Sequence, residues 1–353
     1  MFKKLFALLC LVGMVSTAQA ETFRLIVPQN PGGGTDVWAR IVAGELEKKL
    51  PGDTIIVENI PGARDIPGFN KFHNELRYDP NVIMVSNGGN AEDFLLSKVD
   101  YNYNDYALLG LQNLTIVVGK RNDSNPENGV RFAAGSGQNP DTMAITMLVC
   151  GPQKSFDAYL KCFNDKITYV PGMKGGERRL SYMRGELNVT RESPAAYKKH
   201  PSKVPENVTW FTHGILDLKT GAIVNDRNFK DLSFAEVYKK RWGVAPSGDF
   251  YDAYVVLKNY RDVLQKALWV DKKNPNRAKL ENALRAMVND PVSRKALIAD
   301  SGDYDWIIGE RDGARVLDIL GKQTSAKNLK NLVWWNTQAY GQKPVYKPEL
   351  AKQ

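Results

Sequence analysis

Residues 23–36 read Phe23-Arg24-Leu25-Ile26-Val27-Pro28-Gln29-Asn30-Pro31-Gly32-Gly33-Gly34-Thr35-Asp36. A short apolar strand runs into a loop of proline and glycine, and Thr35 and Asp36 are residues that start helices. Val37, Ile41, Val42, Leu46 and Leu50 then recur at helical spacing, until Pro51-Gly52 stops the run. The same order returns in the next hundred residues. Thr54 to Val57 is a strand that enters Asn59-Ile60-Pro61-Gly62-Ala63, followed by a helix over about Phe69 to Leu76. Asn81 to Val85 is a strand that enters Ser86-Asn87-Gly88-Gly89-Asn90, followed by a helix from Ala91. Strand, Gly/Asn loop and helix in repeated alternation predict a parallel α/β unit rather than a sandwich.

Leu108 to Val118, rich in β-branched residues at its end, reads as a strand and a crossover. The rhythm then restarts. Arg131–Ala134 leads to Gly135-Ser136-Gly137 and a helix from Asp141, and Lys166–Val170 leads to Pro171–Gly176 and a helix from Glu177. Leu187–Thr190 leads to Arg191-Glu192-Ser193-Pro194. Tyr251–Leu257 reads as a second crossover strand. Helices are expected over Arg261–Trp269, Asn276–Val288, Val292–Ala299 and Arg311–Gly321, with a late strand near Tyr304–Ile307. Trp334-Trp335 reads as packing of a C-terminal element, and the polar tail from Lys343 as loosely held. Two α/β units joined by two crossovers imply two lobes and a cleft, with the loops at the carboxyl ends of the strands facing it.

The 353 residues are 25% charged and 43% hydrophobic, the composition of a globular chain. The net charge of +9 is spread over scattered pairs such as Lys198-Lys199 and Lys272-Lys273, without a basic and aromatic run that would suit nucleic acid. Lys3 and Lys4, the apolar run Leu5–Val15 and Ala18-Gln19-Ala20 have the layout of a signal peptide cut after Ala20. The apolar run is too short to span a bilayer as a helix. Three histidines, none in an HxxxH or HExxH pattern, and the absence of G-x-S-x-G argue against zinc or serine hydrolase chemistry. No cofactor or metal is expected, and the acidic cluster Asp300 to Asp312 reads as ordinary surface. Gly32-Gly33-Gly34 ahead of a helix offers backbone amides to an anion. It is neither a Walker loop nor a dinucleotide fingerprint, since the lysine and the G-x-G-x-x-G spacing are both missing.

Val27-Pro28, Pro31–Asp36 and the following Ala39-Arg40 resemble the opening of the substrate-binding proteins of tripartite tricarboxylate transporters, the TctC or Bug type. Val57-Glu58-Asn59-Ile60-Pro61-Gly62-Ala63 resembles their second signature. Gly135-Ser136-Gly137, Val170-Pro171 with Lys174-Gly175-Gly176, Gly185–Asn188, Leu268–Pro275 and Asn289-Asp290-Pro291 continue the likeness in order. Four places depart from the family pattern. Arg64-Asp65 stands where the family has Gly-Gly, the loop over Val170–Gly175 is one residue longer, Asn188 replaces an aspartate, and Arg191-Glu192 brings charge to an apolar or small strand end.

The resemblance implies a periplasmic Venus-flytrap protein of the type II kind, each lobe a mostly parallel sheet flanked by helices, with two crossover strands. It implies a binding protein rather than an enzyme, which closes on a small organic carboxylate and hands it to integral-membrane permease subunits. A binder that feeds a sensor or another importer is the competing reading, followed by an exported enzyme on a related fold. The expected division is a signal peptide over 1–20, one lobe over 21–117 and 252–353, and the other over 118–251, in a monomer. The proximal carboxylate is expected on the backbone amides of Gly32, Gly33, Gly34 and Thr35, with hydroxyls from Ser136 and Thr142. A distal anionic group would meet Arg191 or Arg64, unless Arg191 pairs with Glu192 or another acid and Arg64 with Asp65 on the surface. Pro31, Asp36, Asn87, Gly137, Gly175 and Ser193 complete the expected contact set. Once the leader is cut, Cys150 and Cys162 are the remaining cysteines, and an oxidising compartment would join them, a link worth roughly 3 kcal/mol.

Overall fold

The structure is a computed structural model that describes residues 20–135, 138–173 and 175–351. Residues 1–19 of the expected leader, Ser136, Gly137 and Lys174 lie outside the described residues. The chain opens with β1 (Thr22–Val27), α1 (Gly34–Glu47), β2 (Thr54–Asn59), α2 (Ile66–Asn74), β3 (Val82–Ser86), α3 (Gly88–Leu96) and β4 (Tyr106–Gln112). The second unit contains β5 (Val117–Arg121), β6 (Val130–Ala134), α4 (Pro140–Cys150), α5 (Phe156–Lys166), β7 (Ile167–Pro171), α6 (Gly175–Met183) and β8 (Val189–Glu192). It continues with α7 (Pro194–Lys199), β9 (Asn207–Thr212), β10 (Ile215–Leu216), β11 (Ile223–Val224) and α8 (Phe234–Trp242). The chain returns through α9 (Asp249–Val263) to β12 (Ala267–Asp271), α10 (Arg277–Asn289), α11 (Pro291–Ser301), β13 (Trp306–Ile308), α12 (Glu310–Gln323) and α13 (Ala326–Tyr340).

The first lobe is built on a six-stranded sheet in the order β13-β4-β12-β3-β1-β2. β1 runs parallel to β2 and β3, the product of the repeated strand–loop–helix units, while β12 pairs antiparallel with β3 and β4. Strand alternation sorts its side chains between two cores. Leu25, Val27, Ile83, Val85, Leu268 and Val270 face α1 and α10, against Trp38, Val42 and Leu284. Ile26, Val82, Met84 and Trp269 face the other way, into a core that continues through Tyr254 and Leu257 of α9 and Trp335 of α13 to Phe132, Met143 and Phe163 of the second lobe. The second lobe has an antiparallel sheet, β8-β5-β9, beside a parallel pair, β6 and β7.

Several expectations need correction. Tyr251–Leu257 is not a crossover strand but the middle of helix α9. Its Val255-Val256 and tyrosines look strand-like, yet Phe250, Ala253, Tyr254, Leu257 and Tyr260 are buried at helical spacing, and Asp249 and Asp252 suit the positive end of a helix. The helix expected over Arg261–Trp269 ends at Val263, and Ala267–Asp271 is a central strand, whose run of apolar residues is buried on both faces. Strand β9 was not anticipated at all. The tail is not loose: the Val345 N–H donates to the Leu96 carbonyl at 2.8 Å and Lys347 Nζ to the Phe94 carbonyl at 2.8 Å. Trp335 is buried against Phe163, Phe250 and Tyr340, as packing of a C-terminal element requires. Cys150 and Cys162 are joined in a disulfide that ties α4 to α5. No helix among the described residues is long and apolar enough to cross a membrane.

Candidate functional site

A cleft of about 1260 Å³ is lined by the loops that follow β1, β2 and β3 and, from the other lobe, by the starts of α6 and α7 and the end of β8. Pro31, Gly32, Gly33, Gly34, Arg64, Asn87, Gly175, Arg191 and Ser193 all line it, so the structure brings together most of the expected contact set. Thr35, Asp36 and Thr142 are not part of the lining.

The first loop is held from beneath. The Asp36 carboxylate is buried and accepts from the Gly32 amide at 2.8 Å, from Arg40 Nε at 3.0 Å and from Asn59 Nδ2 at 2.8 Å. Burial works to raise the pKa of Asp36, but Arg40, the Gly32 amide and Asn59 outweigh it and hold the carboxyl below its ordinary value. Asp36 therefore braces the loop, and the Gly32 amide is already engaged. Gly32 has φ +79°, which turns the chain so that Gly33 can precede α1 without a side-chain cap. The amides of Gly34 and Thr35 open α1, and none of the described residues is seen to accept from them. Thr142 is a correction: its hydroxyl is buried, bonded to the Asn139 carbonyl at 3.2 Å and to the Tyr340 hydroxyl, and not offered to the cleft.

The second loop carries two residues in the left-handed region, Arg64 at φ 56° and Asp65 at φ 63°. These are the positions where the family pattern has glycine. Each such residue costs roughly 1–2 kcal/mol, and here both side chains are tied down. Asp65 Oδ2 accepts from Gln29 Nε2 at 2.9 Å and Asn87 Nδ2 at 3.0 Å. Arg64 pairs with Asp93 of α3 and also donates to Gln138, ahead of α4. The surface pairing of Arg64 with Asp65 is thus replaced by a bond to a buried acid and one to Gln138, on the segment ahead of α4. Asp93 is pushed up to about 6 by burial, with Arg64 opposing, and its Oδ1 accepts from Ser97 Oγ at 2.8 Å.

On the second wall, strand alternation separates the two charges of Arg191-Glu192. Glu192 turns to Arg178 (3.2 Å) and Arg179 (2.8 Å), so the pairing of Arg191 with Glu192 does not occur. Arg191 Nε lies 3.1 Å from Asp141 Oδ2 instead. Lys198, Lys199 and Lys203 stand at the rim of the same wall. Ser193 precedes α7 and makes no side-chain cap.

Sequence reasoning missed the buried ions behind the cleft. Arg261 Nε lies 2.9 Å from Glu92 Oε1, and Arg261 and Asp262 are in contact at 2.9 Å. His213 sits between Asp141 (3.2 Å) and Asp262 (3.3 Å) with no exposed side chain. Burial raises Glu92 to about 8 against the pull of Arg261. Burial works to lower His213, but Asp262 and Asp141 prevail and raise it to about 9. The available signal was Lys258-Asn259 and Arg261-Asp262 directly after the apolar Tyr254–Leu257, where charge must be paired to be buried. Among the described residues, no group of three His, Cys, Asp or Glu could hold a metal ion.

No protein-family model matches the chain, and no curated protein matches it by sequence. Solved structures do match. A TctC solute-binding protein from Polaromonas is 19% identical, covers 89% of this chain and 99% of its own, and superposes with a TM-score of 0.56. The periplasmic binding protein BugD is 16% identical over 94% of this chain and 99% of its own, with a TM-score of 0.55. MatC from Rhodopseudomonas palustris, solved with bound malate, is 14% identical over 85% of this chain and 99% of its own, with a TM-score of 0.54. The chain has the two-lobed α/β fold of TctC- and Bug-type periplasmic binding proteins.

Proposed function

We propose that this chain is an exported solute-binding protein. It captures a small organic carboxylate between a lobe formed by 21–117 with 252–353 and a lobe formed by 118–251, and delivers it to the permease of a tripartite tricarboxylate-type transporter. The observation that carries the reading is the cleft itself, where the open amide end of α1 and the guanidinium of Arg191 belong to opposite walls of one cavity. Amides at a helix start bind an anion without a side-chain charge. Arg191 and Arg64 each keep guanidinium donors beyond those given to Asp141 and Asp93, and those can take a second carboxylate. MatC, on the same fold, holds malate. The disulfide suits an oxidising compartment such as the periplasm, the leader would be cut after Ala20, and the mature protein would act as a monomer that binds without turnover.

In this reading the lobes close about the segment before Val117 and about α9, favoured by a ligand that touches both. Calorimetry with malate, succinate and adipate, paired with small-angle scattering, tests it. Saturable binding with a smaller radius of gyration is expected. Heat without compaction would confine the ligand to one wall, and no binding of any dicarboxylate would refute the substrate class.

A further inference from the structure

We infer that His213 is a positioning residue of the binding cleft: clamped as an imidazolium between Asp141 and Asp262, it fixes the Arg191 guanidinium for an anionic ligand and ties that wall to helix α9. The inference rests on the reading of Arg191 as a carboxylate partner. Its basis is a continuous buried chain of ion pairs. Arg191 Nε meets Asp141 Oδ2 at 3.1 Å, Asp141 Oδ1 meets His213 Nε2 at 3.2 Å, and His213 Nδ1 meets Asp262 Oδ2 at 3.3 Å. Asp262 Oδ1 meets Arg261 at 2.9 Å, and Arg261 Nε meets Glu92 Oε1 at 2.9 Å. Both ends of the chain, Arg191 and Glu92, line the cleft, one on each wall, while its middle is out of solvent.

A neutral imidazole has one N–H and could serve only one of its two carboxylates. The other would set one oxygen against a lone pair in a dry interior, leaving its arginine, Arg191 for Asp141 or Arg261 for Asp262, as its compensation. The imidazolium serves both, and so leaves Asp141 needing only part of the charge of Arg191. Without that proton, Asp141 draws Arg191 inward and its free donors leave the cleft. The groups that face His213 agree. Asp141 comes from α4, while α9 contributes Asp262 and the edge of Tyr254, whose hydroxyl burial keeps un-ionised; Lys258 and Arg261 of α9 act on Asp262. β9 contributes the apolar ring of Phe211, stacked at 5.9 Å, and Arg191 of β8 reaches the shared Asp141. His213 keeps its proton to about 9. Lys258, Lys266 and Glu92, each brought to about 8 by burial, titrate in the same range, so the part due to the histidine is read as the difference between wild type and His213→Gln.

The first arm of the test needs no ligand. Nitrogen-resolved NMR of the mature protein should show an imidazole with both N–H protons protected at pH 7 and a titration near pH 9. His73 and His200, both held below the ordinary value by burial, should titrate below about 6.5. The Arg191 Nε–H signal should be protected in the wild type and should shift, still protected, in His213→Gln as Asp141 draws the guanidinium inward. If that variant does not fold, Asp262→Asn keeps the imidazole, and should lower its titration and shift the Arg191 signal together. The second arm is calorimetry with malate from pH 7 to 10. The wild-type affinity should fall about tenfold more than that of His213→Gln, which should start about tenfold weaker, and Lys258→Met should keep that difference. A His213 that titrates near its ordinary value, an Arg191 signal unchanged in both variants, or a slope in His213→Gln equal to that of the wild type would overturn the inference. If no dicarboxylate binds the wild type, the carboxylate reading fails, and the NMR arm still decides whether His213 positions Arg191.

Discussion

The two walls of the cleft hold charge by different means. The first wall relies on backbone: an open helix start at Gly34 and Thr35, braced from below by Asp36, with a strained loop whose Arg64 is anchored to a buried acid. The second wall relies on side chains, with Arg191 backed by Asp141 and His213 and a rim of lysines from α7 onward. A backbone cradle tolerates changes in sequence so long as the turn survives, whereas a side-chain wall fails at single residues. Each arginine also comes with its own buried carboxylate, Asp93 (side chain 2% exposed) for Arg64 and Asp141 (0%) for Arg191. The arginines are therefore held in place before any ligand arrives, which reduces the ordering a ligand must impose.

The comparison can be broken first at the second wall. Arg191→Ala should weaken dicarboxylate binding by about ten- to a hundredfold, the worth of a charged hydrogen bond. It should also lower the unfolding temperature, because Asp141 loses a partner while buried. Calorimetry and a thermal melt on the same sample check both. If only the melt changes, Arg191 serves Asp141 and not the ligand.

Arg64→Gly separates strain from function on the first wall. Glycine relaxes the left-handed backbone by roughly 1 kcal/mol, but leaves Asp93 buried without its arginine. Below about pH 5 Asp93 is protonated in either protein and the relaxation should show as higher stability than the wild type. Above about pH 7 the ionised acid should make the variant the less stable one. Denaturant titrations at both pH values test the change of sign.

A third prediction concerns His213. Its folded pKa, about 9, lies above its ordinary value, so it contributes stability fully below about pH 6.5, and this is lost as pH rises through 9. Lys258 and Lys266, pushed down to about 8 by burial, act with the opposite sign from there upward. The difference in stability between wild type and His213→Gln isolates the histidine, and should shrink steadily between pH 6.5 and 9. A constant difference would mean that the imidazole is neutral throughout.

The smallest effect is expected at the loop. A Cβ on Gly32 would meet nothing within 4 Å, so Gly32→Ala adds only the penalty of a side chain at φ +79°, about 1 kcal/mol, with a few-fold loss of affinity as the turn shifts. Valine at Gly33 is a poorer probe of the cradle, since its Cβ would make ordinary contacts at 3.4 Å and 3.6 Å. Parallel titrations of Gly32→Ala and Arg191→Ala with one dicarboxylate give the ranking of the two walls directly.

The sequence was readable where local pattern and tertiary role agree. β1 through α3 follow from apolar runs, glycine loops and helix starts, because parallel units are built from contiguous pieces. It misled where tertiary context overrides the pattern. Val255-Val256 in α9 favours a strand by composition, and Ala267–Val270 in β12 gives no period because both faces are buried. The site divides in the same way. The glycine loops and the cleft arginines could be named from sequence, but their partners could not. Asp93, Asp141, Asp262 and His213 meet their partners across separations of 29 to 72 residues, which no spacing records.

The most direct test of carboxylate capture between these walls is native mass spectrometry of the exported protein, taken without refolding, wild type beside Arg191→Ala. A small organic acid should travel with the wild type and be missing or strongly depleted from the variant. A neutral or cationic molecule on the wild type, or the same acid held equally by both proteins, would contradict the account.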